Sequence, residues 1–108
     1  MIKHAQVTFI SEKLEQTFES LPDSEVLKKH IKRAIEEIKE NAFVGTRIPK
    51  RLFPKEYIIK YNVNNLWKYD LPNGWRLIYT LLSPSKVEIV SVILEWFNHP
   101  NYEKRFGY

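Results

Sequence analysis

Four side chains in the second half of the chain have the types and spacing to act on an anion. Arg76 lies in Trp75-Arg76-Leu77-Ile78-Tyr79, a run with strand character. Alternation puts its side chain on one face with Ile78 and Thr80, opposite Trp75 and Leu77. A guanidinium on a partly apolar face needs an anionic partner. That partner is either a phosphate held in its planar fork or an internal carboxylate, Asp70 or Glu88. Lys68 shares a strand face with Asp70, two residues on. His99 follows a long β-prone run, where a loop can carry a group that gives or takes a proton near neutral pH. A capping or packing role before Pro100 is its alternative. Tyr102 stands three residues later, so a turn brings both to one cleft. There the phenol stacks on a base or donates a proton, or else it packs the tail. Tyr108 is a further candidate, whereas Tyr79 belongs with the core. Glu95 is a general base or, more simply, a paired or solvated carboxylate. His4 and His30 have no such context and read as surface or structural.

Other chemistries are poorly served. With no cysteine, disulfide frameworks, thiolate metal sites and thiol nucleophiles are excluded. Gly45, Gly74 and Gly107 are too scattered for a phosphate-binding glycine loop, and the histidines lack zinc spacing. No nucleophile elbow is present. The charge is unevenly spread. Residues 1–40 hold seven Lys/Arg against eight Asp/Glu, while residues 41–108 hold ten against five. A basic half of this kind suits a polyanion or an acidic partner, or is a solvated lysine-rich surface. Between residues 41 and 65 basic and aromatic residues interleave as Arg47, Lys50, Arg51, Phe53, Lys55, Tyr57, Lys60 and Tyr61. Trp67, Trp75 and Trp96 are expected to pack in the core or a partner groove before stacking on bases.

These groups need a scaffold, and 108 residues suffice for one domain with one core. Val7 to Ile10 reads as an edge strand. Ser11 caps a first helix with Leu14, Phe18 and Leu21 on its apolar side, ended by Pro22. Asp23 or Ser24 caps a second, whose stripe is Leu27, Ile31, Ala34, Ile35 and Ile38 and whose charges, Lys28 among them, form a solvated face. Residues 41–65 are irregular, with a short helix or strand over Lys55 to Asn62. Three strands follow: Leu66 to Leu71, Trp75 to Leu82 and Val87 to Trp96, joined by Pro72-Asn73-Gly74 and Ser83-Pro84-Ser85-Lys86 turns. The class is α+β, helices on one face of the sheet and the other face open to a partner. No signal-peptide core and no apolar run of membrane-spanning length is present, so an intracellular protein is expected.

The order strand, two helices, three strands, with Trp75-Arg76-Leu77-Ile78-Tyr79 directly after a turn glycine, resembles the RelE/ParE superfamily of toxin components. The tail Asn98-His99-Pro100-Asn101-Tyr102-Glu103-Lys104 is similar to the His-x-x-Tyr-acid-Lys ending of HigB-type members. The resemblance covers about residues 10–105. It implies a RelE-like two-helix layer packed on an antiparallel β-sheet, β-α-α-β-β-β, across a single domain of residues 1–108. It further implies the toxin of a type II toxin–antitoxin pair: a cytoplasmic, ribosome-associated mRNA endonuclease that cleaves by 2′-OH attack with neither metal nor cofactor. Its partners would be a cognate antitoxin, mRNA and the ribosome. The implied catalytic residues are Arg76, His99, Tyr102 and Lys68, with Lys50, Arg51, Lys55, Lys104 and Arg105 gripping RNA. ParE-like members share the fold and poison DNA gyrase, so a gyrase inhibitor or an inactive interaction module is the alternative. Asp70 stands where the nucleases of the family often place a cation.

Overall fold

The structure is a computed structural model that describes residues 3–85 and 87–106. Lys86 of the second turn and Tyr108 lie outside the described residues. The sheet has five strands in the order β1-β5-β4-β3-β2: β1 Gln6–Phe9, β2 Thr46–Arg47, β3 Trp67–Asp70, β4 Arg76–Leu82 and β5 Val90–Phe97. The helices are α1 Glu12–Ser20, α2 Val26–Glu40, α3 Lys55–Tyr61 and α4 His99–Phe106. The class is α+β as expected, but the sheet is mixed, because β1 pairs in parallel with β5 while the other pairs are antiparallel. That pairing joins the two ends of the chain, which no local pattern specifies. None of the helices is long and apolar enough to cross a membrane, among the described residues.

The first helix forms where its signals lie. Ser11 Oγ accepts from Leu14 N at 3.1 Å, Glu12 and Glu15 sit in the first turn, and the helix closes at Leu21 before Pro22. The second helix starts later than expected, with Glu25 at its N-cap and no side-chain cap. Asp23 is used differently, accepting from Lys28 Nζ at 3.0 Å. Lys28 also donates to the Glu19 and Leu21 carbonyls, at 3.2 and 2.9 Å. It therefore satisfies the open end of α1 and is buried, not solvated as the helical pattern suggested.

Both faces of the sheet are covered. On one, Phe18 of α1 and Ile31, Ala34 and Ile38 of α2 pack on Leu77, Tyr79 and Ile93. On the other, Tyr57 of α3 and Tyr102 and Phe106 of α4 pack on Ile78, Val92, Leu94 and Phe97. The second face is thus not open as expected. Its rings pair within the core, Tyr102 with Phe106 at 4.7 Å and with Phe97 at 5.8 Å between centroids. A bulge helps: Ile78 pairs with Glu95 and Tyr79 with Ile93, leaving Leu94 as an extra residue. Leu94 fills the α3/α4 core while Glu95 reaches the Tyr57 hydroxyl.

Candidate functional site

The site starts from a tight hairpin. After β3 the chain turns through Pro72–Gly74, with Asn73 at φ 63° and Gly74 at φ 79°. Asparagine and glycine tolerate that left-handed conformation best. The turn sets Asp70 directly opposite Arg76 and Lys68 opposite Ile78. Facing residues of paired strands share a sheet face, so Lys68, Asp70 and Arg76 lie on the α3/α4 side. Arg76 Nε is 3.0 Å from Asp70 Oδ1, and Lys68 Nζ is 3.7 Å from the same oxygen. The Arg76 Nε–H is buried and out of hydrogen-bond alignment with that carboxylate, while Nη1 donates to the Trp75 carbonyl at 3.2 Å. The ion pair with Asp70 is thus the internal alternative foreseen for Arg76, held by charge more than by a well-aimed hydrogen bond.

Helix α4 supplies the other side. Asn98 caps it, its Oδ1 accepting from Asn101 N at 3.2 Å and its carbonyl from Tyr102 N at 2.9 Å. The first turn packs on the hairpin so closely that a Cβ on Gly74 would meet His99 Cβ at 3.4 Å. Tyr102, one turn on, is 5 % exposed, so its ring is core rather than a free stacking platform. Lys68 Nζ and Arg76 Cζ each lie 5.7 Å from that ring, and both cations rest on its electron-rich face. His99 is exposed at the rim, with Nε2 2.6 Å from Glu103 Oε1 across one helical turn.

Four of the sequence-derived residues, Lys68, Arg76, His99 and Tyr102, therefore meet at one end of the sheet. The basic grip residues do not gather with them as one patch. Lys50 lines a separate groove with Arg47 and Trp67. Arg51, Lys55 and Lys104 are exposed. Arg105 is engaged: Glu56 holds one guanidinium nitrogen and Glu95 the other, the latter at 3.0 Å. Glu95 in turn accepts from Tyr57, whose hydroxyl is pushed far up its titration range by burial and then by that carboxylate. Glu95 is thus the paired carboxylate of the two readings, and it ties α3 to α4 through β5. Glu103 had no assigned role in the sequence. Its spacing of four from His99 would have marked it had residues 99–106 been read as a helix, as Pro100 in the first turn and the Tyr102/Phe106 pair allowed.

Chemically, the site offers two cations converging on one ring, a partly exposed carboxylate that offsets one of their two charges, and an imidazole oriented by a second carboxylate. A phosphate that displaced Asp70 would meet a guanidinium fork and an ammonium, with His99 at the rim to move a proton. No family model matches the chain, and no curated protein or solved structure matches it.

Proposed function

We propose that this chain is a RelE-like toxin that cleaves mRNA without a metal ion at the Lys68–Arg76–His99 cluster. One observation carries the reading: a strand hairpin and a helix terminus bring Lys68 and Arg76 onto the Tyr102 ring and set His99, one helical turn before Tyr102, against the hairpin's Gly74. The finer arrangement is taken as RelE-like on the order of strand, helix pair and strand meander, and on the strand that opens with Arg76 after a glycine turn. In the reaction the RNA 2′-oxygen attacks phosphorus and the bond to the 5′-oxygen breaks, giving a 2′,3′-cyclic phosphate and a free 5′-hydroxyl. The proton lost from the 2′-OH goes to a base, and another is delivered to the leaving oxygen, so no water is consumed. Arg76 and Lys68 stabilise the charge that builds on the phosphorane oxygens, and His99, oriented by Glu103, moves a proton. Tyr102 acts as a positioning residue through the two cations on its ring. Lys50, Arg51, Lys55 and Lys104 supply general attraction to the RNA backbone. Arg105 contributes less, because two carboxylates already hold it. An antitoxin with an acidic or amphipathic segment would cover this basic half, and the site of action would be the cytoplasm.

A second reading has one observation in its favour: Asp70 already occupies the anion position between the two cations and offsets one of their charges, as suits a gyrase-inhibiting or inactive relative that only binds. Induced expression separates the two. The nuclease reading expects growth arrest with translated mRNA cut and the chromosome intact. Arrest with intact mRNA and accumulated DNA breaks would move the assignment to gyrase, and no arrest at all would favour an inactive module.

A further inference from the structure

On the α1/α2 face, beyond the C-terminus of α2, a groove of about 450 Å³ opens at the β2 edge of the sheet. That volume falls in the small-ligand range. Arg47 faces Trp67 across the β2–β3 ladder, so both project to this side. Trp67 stacks at 6.2 Å on the buried Tyr79, and Phe43 covers it at 5.5 Å. Phe43 is 40 % exposed, so its outer face is available. The floor is rigid: Asn65 Nδ2 donates to the Leu81 carbonyl and its Oδ1 accepts from Leu81 N, both at 2.9 Å, which extends the ladder beyond β3.

The electrostatics are one-sided. Arg47 and Lys50 line the groove, no acid does, and neither cation has an ion pair among the described residues. The Trp67 indole N–H is buried with no acceptor among the described residues. Unpaired cations beside open aromatic surface match a ligand that carries an anion on a flat ring. We propose that this groove binds a nucleotide unit, with the base on the exposed face of Phe43 beside Trp67 and the phosphate between Arg47 and Lys50. The site lies on the other side of the sheet from the Lys68–Arg76 cluster and does not rest on the cleavage reading. A nucleotide unit can come from a free nucleotide or from a single RNA strand, and the chemistry recognised is the same.

The test follows the Trp67 indole resonance in a nitrogen-15 correlation spectrum of the full chain, identified by its loss in Trp67→Phe. Titration with AMP is expected to move it in a saturable way, and adenosine or inorganic phosphate at equal concentration to move it less. Arg47→Ala and Lys50→Ala, both at exposed positions, should each weaken AMP binding about fivefold or more, the scale of one lost charge-assisted contact. Arg76→Ala should leave it unchanged, even in a protein that cuts no RNA. A hexauridylate that binds more tightly than AMP identifies an RNA strand as the source; equal or weaker binding identifies the free nucleotide. An unmoved Trp67 resonance with both ligands, or Arg47 and Lys50 variants that bind like the parent, would overturn the proposal. So would a glutamate-rich peptide that displaces AMP while binding more tightly, which would make the groove a surface for an acidic protein.

Discussion

The two cationic regions of this molecule share a strand and use their charges in opposite ways. Trp67 and Lys68 are neighbours in β3 and face opposite sides of the sheet, as do Thr46 and Arg47 in β2. On the α3/α4 side, Lys68 and Arg76 converge on Tyr102 and are partly compensated by Asp70, which offsets one of their two charges. On the α1/α2 side, Arg47 and Lys50 have no such counterion among the described residues. Counting basic residues does not distinguish these regions, whereas the position of each carboxylate does. A compensated cluster is pre-organised and exchanges one anion for another. An uncompensated groove attracts anions from a distance but fixes them less firmly.

The largest expected effect lies on the compensated side. Arg76→Ala should lower RNA cleavage by roughly 100-fold or more, the scale of removing one group that stabilises transition-state charge. Single-turnover rates measure this, with circular dichroism confirming the fold. A rate within a few-fold of the parent would break the contrast, because the compensated cluster would then not be the reacting one.

The second effect is on stability and bears on the uncompensated side. Gly45 leads into β2, and a Cβ there would lie 2.6 Å from the Lys68 carbonyl and 2.7 Å from the Tyr79 hydroxyl. That hydroxyl accepts from Gly45 N at 3.0 Å and donates to the Ala42 carbonyl at 2.9 Å. Gly45→Ala must push backbone apart and should cost on the order of 1–3 kcal/mol. Thermal denaturation should show a midpoint lowered by roughly 4–8 °C per kcal/mol for a domain of this size. An unchanged midpoint would mean that the β2 edge is not held as tightly as this geometry requires.

A smaller effect sharpens the role of Asp70. Its carboxylate is 59 % exposed, so its attraction to Arg76 and Lys68 is partly screened. Asp70→Asn should tighten RNA binding roughly threefold to tenfold at low salt, with the gain shrinking as salt rises. Fluorescence anisotropy with a labelled oligonucleotide reads both. Loss of cleavage at unchanged affinity would instead make Asp70 a participant in proton transfer.

The smallest effect is on pH dependence. Burial pushes the Tyr79 hydroxyl up to about 12, and burial together with the Glu37 carboxylate, which accepts from Tyr69 at 2.6 Å, does the same for Tyr69. In an unfolded chain both titrate near 10. The raised folded values favour the neutral forms, so this stabilisation is complete below pH 10 and is lost as pH climbs from about 10 through about 12. Denaturation midpoints should hold steady up to pH 10 and then fall, less steeply in Tyr79→Phe.

Much of this was legible in the sequence where the physics is local. The α2 stripe, the Ser11 cap, the hairpin at Asn73-Gly74 and the shared face of Lys68 and Asp70 all follow from periodicity and turn chemistry. The Arg76–Asp70 pair was visible as one of two choices, since hairpin register alone brings those residues together. What escaped depends on contacts between distant segments. Lys28 reads as a solvated helix charge until α1 ends beside it. The parallel β1–β5 pairing joins the chain's two ends. Residues 97–108 read as a polar and aromatic tail, a pattern that conceals both the His99–Glu103 pair and the burial of Tyr102 on α4. Arg105 looked like a free cation because Glu56 and Glu95 are 49 and 10 residues away.

The most direct test of the cleavage reading is end-group analysis of RNA incubated with the purified protein and ribosomes. Cleavage should be followed in translation buffer, and with naked RNA in the presence of a chelator. The account predicts 2′,3′-cyclic phosphate and 5′-hydroxyl ends, formed by the parent protein and roughly 100-fold more slowly by Arg76→Ala. Intact RNA in both conditions, or ends bearing a 5′-phosphate, would contradict it.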